Sequence, residues 1–186
     1  MSKTRILLLL VIGAVAAVGF SSCASESNIA VKVSPDKSIE SKTAIREAKV
    51  GSLAPEFELA KLDGSTIAFN DLNGKPAVLV FWTAWCPSCK AEAPEINKLA
   101  AKYESKGVRV IGINIGEGEA RVKEGVEEFG IKYDVVRDTD TKVAKSYKVV
   151  GTPTIVFLDS NGIARYVGNE LPSDYAARLD EISLMN

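Results

Sequence analysis

Two cysteines three residues apart, Cys86 and Cys89, are the residues of this sequence best suited to chemistry. They lie in the run Trp85-Cys86-Pro87-Ser88-Cys89, between an apolar segment and a helix-like stretch. A dithiol at this spacing can close into a disulfide and open again. A zinc half-site and a permanent disulfide are the alternatives. Zinc usually takes four ligands, whereas the chain has no histidine and its third cysteine, Cys23, is remote, so the spacing favours redox chemistry.

The two cysteines are predicted to have different roles. Cys86 precedes the first turn of a helix, so its sulfur can accept hydrogen bonds from free amides, including that of Cys89, and lies at the positive end of the helix dipole. Both effects lower the pKa of a thiol. Pro87 suits the first helical position, where a missing donor costs nothing. Cys86 is therefore predicted to attack, and Cys89, expected to be the more buried, to resolve the mixed disulfide.

Glu92 follows Cys89 by three residues and so shares its face of the predicted helix. A carboxylate beside a buried thiol can accept or return the proton of that thiol. The same spacing fits a solvated helical glutamate equally well, so both interpretations stay open on spacing alone.

A second motif, Gly151-Thr152-Pro153-Thr154, stands before a predicted strand. X–Pro bonds are the usual place for a cis peptide, and a cis Thr152–Pro153 bond would turn the backbone of Thr152 toward the dithiol. Its exposed groups could then pair with an extended substrate peptide. An ordinary trans proline is the alternative, and the preceding dithiol favours the cis form.

The N-terminal segment 1–22 has the features of a targeting signal. Lys3 and Arg5 precede an apolar run, 6–19, that is short for a membrane span. Phe20-Ser21-Ser22-Cys23 then resembles a bacterial lipoprotein cleavage site with Cys23 as the lipidated residue, although Phe20 departs from the usual aliphatic residue. A signal anchor and simple secretion are the alternatives. Each of them places the protein outside the cytoplasm, on the membrane or in the periplasm.

The remaining sequence divides into a tether, 23–49, and one domain, 50–186. The tether is polar and charged and has no sustained period, although alternating apolar residues around Val31 could make one short ordered strand instead. The 186 residues carry a net charge of −1, which excludes the basic field needed to hold nucleic acid.

Strands alternating with helices predict an α/β fold with a central mixed sheet flanked by helices. The predicted strands are 57–59 and 66–69 (a hairpin around Asp63-Gly64), 77–82, 108–115, 135–136, 154–158 and 163–167; the predicted helices are 88–105, 119–129, 141–147 and 174–184.

These motifs resemble the thioredoxin superfamily, and more narrowly its extracytoplasmic TlpA/ResA-type members. The resemblance covers about residues 50–184; besides the dithiol and Pro153 it includes the opening 50–57, Gly74-Lys75-Pro76, Pro94 and an inserted segment around 117–133. It implies a thioredoxin-like fold with an N-terminal hairpin extension and a central insertion. It also implies that Glu92 is the active-site acid, since cytoplasmic relatives carry a buried aspartate where this chain has Val80.

The sequence thus predicts a thiol–disulfide oxidoreductase whose clients contact Trp85, Pro87, Thr152 and Pro153. The resemblance implies reduction of envelope proteins such as apocytochromes c. We further expect electrons from a membrane thiol–disulfide partner, and a monomer without cofactor or metal. A peroxiredoxin-like thiol peroxidase is the alternative, because Thr83 stands three residues before Cys86. Leu79, where such peroxidases have proline, and the CxxC spacing favour exchange.

Overall fold

The computed structural model describes residues 48–72 and 74–185. In this part of the chain seven strands form one mixed sheet in the order β2-β1-β5-β4-β3-β6-β7, and four helices pack against it. The strands are β1 (Glu58–Lys61), β2 (Thr66–Ala68), β3 (Ala77–Trp82), β4 (Arg109–Ile115), β5 (Asp134–Asp138), β6 (Thr154–Leu158) and β7 (Ala164–Gly168). The helices are α1 (Pro87–Glu104), α2 (Glu119–Phe129), α3 (Lys142–Ser146) and α4 (Tyr175–Ser183). The predicted fold class is confirmed.

Strand β3, an interior strand of the sheet, is buried along its whole length, as its continuous apolar sequence predicted. It pairs in parallel with β4 and antiparallel with β6. Successive side chains point to opposite faces of the sheet. Leu79 and Phe81 pack in the core cluster that includes α3, whereas Val78 and Val80 pack in the cluster beneath α1 and α4. Both faces of β3 are therefore covered.

The N-terminal hairpin and the central insertion are both present. β1 and β2 pair antiparallel around the predicted turn, and β1 joins the main sheet by pairing antiparallel with β5. α2 has the predicted bounds. β5 is longer than the two residues predicted, because its pairing with β4 runs from Asp134 to Asp138, beyond the two apolar residues that mark it in the sequence.

Helix α1 starts at the end of a short loop after β3. Cys86 is its N-cap and Pro87 its first residue, as predicted. Its buried face includes Ile96, Leu99 and Tyr103, which are four or three residues apart and pack against the sheet. β3, this loop and α1 therefore fix the position of the dithiol.

The predicted signal segment, its Cys23 and most of the predicted tether lie outside the described residues. Among the residues described, no helix is both long and apolar enough to cross a membrane.

Candidate active site

Cys86 and Cys89 form a disulfide at the first turn of α1, with their Cα atoms 5.3 Å apart. The backbone N–H of Cys89 donates a hydrogen bond to Cys86 Sγ at 3.1 Å. This is the predicted use of a free first-turn amide, and it favours negative charge on that sulfur when the disulfide is open.

The prediction that Cys89 is more buried than Cys86 is wrong. Cys86 is 3% exposed and Cys89 is 5% exposed. Cys86 is covered because its sulfur lies 3.3 Å from the carbonyl oxygen of Thr152, on the loop before β6. How closely this loop approaches the helix start depends on tertiary packing, which the sequence pattern does not indicate.

The Thr152–Pro153 peptide bond is cis, as predicted. Pro153 is buried, whereas Thr152 is partly exposed and its hydroxyl lies 3.3 Å from that of Thr83. Asn169, the residue after β7, donates to the carbonyl oxygen of Pro153 at 3.1 Å and so helps to hold the loop. Of the predicted client contacts on this loop, Thr152 is therefore presented toward the dithiol, and Pro153 lies beneath it.

Exposed side chains lie next to the cysteines in the chain and on the loop before Pro153. Trp85 is 69% exposed and Pro87 is also exposed, beside Cys86. On the loop before Pro153, Val150 is 95% exposed; the sequence did not indicate this, since a valine in a loop carries no signal of its exposure. The backbone N–H groups of Gly151 and Thr152 make no hydrogen bond to any described residue. We call Trp85, Pro87, Val150, Gly151 and Thr152 the rim.

Glu92 is partly buried on α1, one turn beyond Cys89. One carboxylate oxygen accepts a 3.4 Å hydrogen bond from the backbone N–H of Leu171, and the other is buried without a partner among the described residues. Burial raises the pKa of the Glu92 carboxyl, the Leu171 N–H opposes this, and the nearby charge of Glu170 raises it further. Glu92 is thus not the fully solvated glutamate of the alternative interpretation.

The surroundings of the dithiol are apolar. Trp82 lies under the two cysteines in one core cluster, and its indole N–H is buried without a partner in the described structure. Val80, where the superfamily's cytoplasmic members carry an acid, is buried among apolar residues. Burial raises the pKa of the Tyr133 hydroxyl above its ordinary value, and the charge of Glu92 adds to this effect. Across residues 48–72 and 74–185, no cluster of acidic, cysteine or histidine side chains could hold a metal ion.

Helix α2 and the loop before it hold the backbone of Ala84, two residues before Cys86. The Ala84 N–H donates to a carboxylate oxygen of Glu117 at 2.7 Å. The Ala84 carbonyl oxygen accepts a hydrogen bond from Arg121 Nη2 at 2.5 Å. The sequence does not predict a role for either residue, because contacts across more than thirty positions leave no local pattern.

A redox-capable cysteine pair at a helix start, facing a cis-proline loop at the end of a buried strand, defines a thioredoxin-like thiol–disulfide oxidoreductase. Comparison with known proteins agrees with this class. The chain belongs to the AhpC/TSA family, whose model matches residues 50–167. It is 34% identical over 137 residues to the thiol-disulfide oxidoreductase ResA of Bacillus cereus, covering 73% of this chain and 79% of the relative. It is also 34% identical over 143 residues to the ResA of Geobacillus thermodenitrificans, covering 76% and 80%.

Solved structures show the same fold. The thioredoxin domain of a thiol-disulfide oxidoreductase from Bacteroides vulgatus matches with a TM-score of 0.65 and 29% identity, covering 72% of this chain and 98% of that one. A secreted disulfide oxidoreductase from Mycobacterium tuberculosis, homologous to E. coli DsbE, matches with a TM-score of 0.59 and 28% identity, covering 70% and 96%.

Proposed function

We propose that this protein reduces disulfide bonds in proteins outside the cytoplasm, and that apocytochromes c with paired cysteines are among its clients. One observation carries the proposal: the Cys86–Cys89 pair lies against the carbonyl oxygen of Thr152, and the exposed rim includes Thr152 and the two chain neighbours of Cys86. The relatives named ResA support the reaction class.

The reaction is a two-step exchange in which atoms and electrons balance. The Cys86 thiolate attacks one sulfur of the client disulfide; a bond forms between Cys86 and that sulfur, and the other client sulfur leaves as a thiolate and takes up a proton. The Cys89 thiolate then attacks Cys86 Sγ, which releases the second client sulfur. The protein ends with the Cys86–Cys89 disulfide and the client with two thiols. A membrane thiol–disulfide partner then returns two electrons.

We assign Glu92 as the base that accepts the proton of the Cys89 thiol. Burial opposes formation of the Cys89 thiolate. A carboxylate one turn away with a raised pKa has a proton affinity closer to that of the thiol than an exposed glutamate has, which is the condition for efficient general-base catalysis.

The rim suits an extended client segment. Trp85, next to Cys86, and Val150, on the loop that carries Thr152, offer exposed apolar surface, and the free N–H groups of Gly151 and Thr152 can pair with a peptide backbone. Thr152, Trp85 and Pro87 are therefore assigned to client binding, and buried Pro153 to the shape of the loop.

A reduction assay tests the proposed reaction. Reduced full-length protein is mixed with a peptide that contains a disulfide between cysteines spaced as in a c-type haem site. We expect free peptide thiols to appear in a one-to-one ratio with Cys86–Cys89 disulfide. Consumption of hydrogen peroxide without any other thiol protein, together with no reduction of the peptide, would contradict the proposal and favour the peroxidase.

The protein is further proposed to act as a monomer anchored to the membrane by lipid on Cys23. The signal-like segment 1–22 supports this, and the secreted M. tuberculosis relative supports an extracytoplasmic location. Cys23→Ser should lose metabolic labelling with a fatty acid and should leave the membrane fraction. An N-terminus that begins at Met1 in the purified wild-type protein would instead support the signal anchor.

A further inference from the structure

We infer that Arg121, on helix α2, is a positioning residue for the Cys86 sulfur, acting through the backbone of Ala84. The inference rests on the proposed exchange reaction and adds a residue that neither the sequence motifs nor the known chemistry of the dithiol requires.

The contact itself is direct. Arg121 Nη2 donates to the Ala84 carbonyl oxygen at 2.5 Å, and the donor carries a charge, which makes such bonds shorter and stronger than neutral ones. Ala84 is 2% exposed, so its carbonyl oxygen is held away from bulk water. Loss of this donor would leave a buried acceptor without its charged partner.

Glu117 holds the other side of the same residue. One of its carboxylate oxygens accepts from the Ala84 N–H at 2.7 Å and from the side-chain amide of Asn114 at 2.7 Å. Arg121 and Glu117 are four residues apart, so the first turn of α2 and the residues just before it bracket Ala84 at both its N–H and its carbonyl group.

Gly125, one turn further along α2, packs closely against Ala84 and Trp82. A Cβ atom at this position would lie 2.6 Å from the Cβ of Ala84 and 2.9 Å from a ring carbon of Trp82. The absence of a side chain lets α2 approach the loop closely enough for Arg121 to reach the Ala84 carbonyl.

The position of Ala84 is transmitted to the sulfur by a short, hydrogen-bonded loop. The N–H of Cys86 donates to the Thr83 carbonyl oxygen at 3.1 Å, which closes a turn around Ala84 and Trp85. Cys86 Sγ then lies between the Cys89 N–H and the Thr152 carbonyl. A displacement of Ala84 would misalign both contacts, and misplacement of a reacting group by about 1 Å can cost on the order of a hundredfold in rate.

Arg121 also forms an ion pair with Glu124 at 3.2 Å, on the exposed side of α2. Exposed pairs of this kind contribute little to stability. Glu124→Gln therefore separates the two contacts of Arg121, because it removes the ion pair and leaves the donor to Ala84 in place.

The test is the rate at which the reduced full-length protein attacks 5,5′-dithiobis(2-nitrobenzoate), measured by stopped flow, together with the melting temperature. We expect Arg121→Met to slow the attack about tenfold. Arg121→Lys, which keeps a charged donor on a long stem, should recover most of the rate. Glu124→Gln should react like the wild type, as should Lys123→Met, whose partner on the same helix is Glu119.

Each other outcome overturns the inference. Arg121→Met at the wild-type rate would show that Ala84 needs no donor. An equal loss in Glu124→Gln would assign the effect to the surface ion pair, and a folded Arg121→Lys as slow as Arg121→Met would exclude rescue by a donor. If Arg121→Met does not fold, a folded Arg121→Lys that is tenfold slower than the wild type, or a tenfold loss in Glu124→Gln, overturns the inference. A wild-type protein that does not attack the reagent would instead contradict the exchange reaction itself.

Discussion

At the scale of single residues, Glu92 links the electrostatics of this site to its chemistry. One of its oxygens has a single long hydrogen bond and the other has no partner among the described residues. Ionising a carboxyl group held in this way costs free energy, and its few hydrogen bonds offset little of that cost. The burial of Glu92 therefore raises its pKa and does not stabilise the folded protein.

We expect Glu92→Gln to slow disulfide exchange by roughly ten- to a hundredfold, because glutamine keeps the shape of the side chain and removes the base. The measurement is the single-turnover rate of peptide-disulfide reduction. Glu95→Gln is the matched control: Glu95 lies on the same helix, but hydrogen bonds from Lys98 and Tyr175 lower the pKa of its carboxyl. That variant should keep the wild-type rate, and an equal loss in both variants would remove Glu92 from the mechanism.

The raised pKa of Glu92 also fixes the sign of two pH effects. The ratio of the wild-type rate to the Glu92→Gln rate should fall toward one as the pH drops through this pKa, since the protonated carboxyl is no longer a base. A raised folded-state pKa means that ionised Glu92 destabilises the folded protein at neutral pH. Glu92→Gln should therefore be at least as stable as the wild type at pH 7, with the difference disappearing below about pH 4, where the carboxyl is protonated in both states.

At the scale of elements, the central insertion is a structural support for the active-site loop. α2 packs on Ala84 and Trp82 through Gly125, and at the surface Lys90, the residue after Cys89, pairs with Glu128 of α2 at 2.8 Å. Asn97 adds two hydrogen bonds from α1 to the loop that follows α2. The insertion therefore contacts both the loop before the dithiol and the helix that carries it.

Gly125→Ala tests this packing. In an exposed helix interior, alanine would be favoured over glycine by about 1 kcal/mol. Here the added Cβ meets two atoms at less than 3.0 Å, so we expect a net loss of about 1–3 kcal/mol in the free energy of unfolding. Chemical denaturation gives the value. Gly118→Ala, where a Cβ meets nothing within 4 Å, should cost only about 0.5 kcal/mol, the difference expected at a helix N-cap. A stabilised Gly125→Ala would mean that α2 can move away from Ala84.

At the scale of the whole molecule, the sequence predicted what local patterns encode. The apolar run Ala77–Trp82, the cysteine spacing and the Gly151-Thr152-Pro153 motif together located the strand, the helix start and the loop that meet at the dithiol. Tertiary contacts could not be predicted from these patterns. No local sequence pattern indicates that Arg121 contacts Ala84, that Val150 is exposed, or that the Thr152 carbonyl lies close enough to bury Cys86. Each of these features depends on how separate elements pack.

Trapping of a mixed disulfide tests the central claim, that Cys86 attacks a client and Cys89 releases it. Cys86→Ser and Cys89→Ser variants of the full-length protein are incubated with the oxidised client peptide, and the adducts are identified by mass spectrometry. Cys89→Ser should accumulate a peptide bound to Cys86, because the second thiolate that resolves the adduct is missing, and Cys86→Ser should form little. Equal adducts on both variants, or an adduct on Cys89 alone, would contradict the assignment.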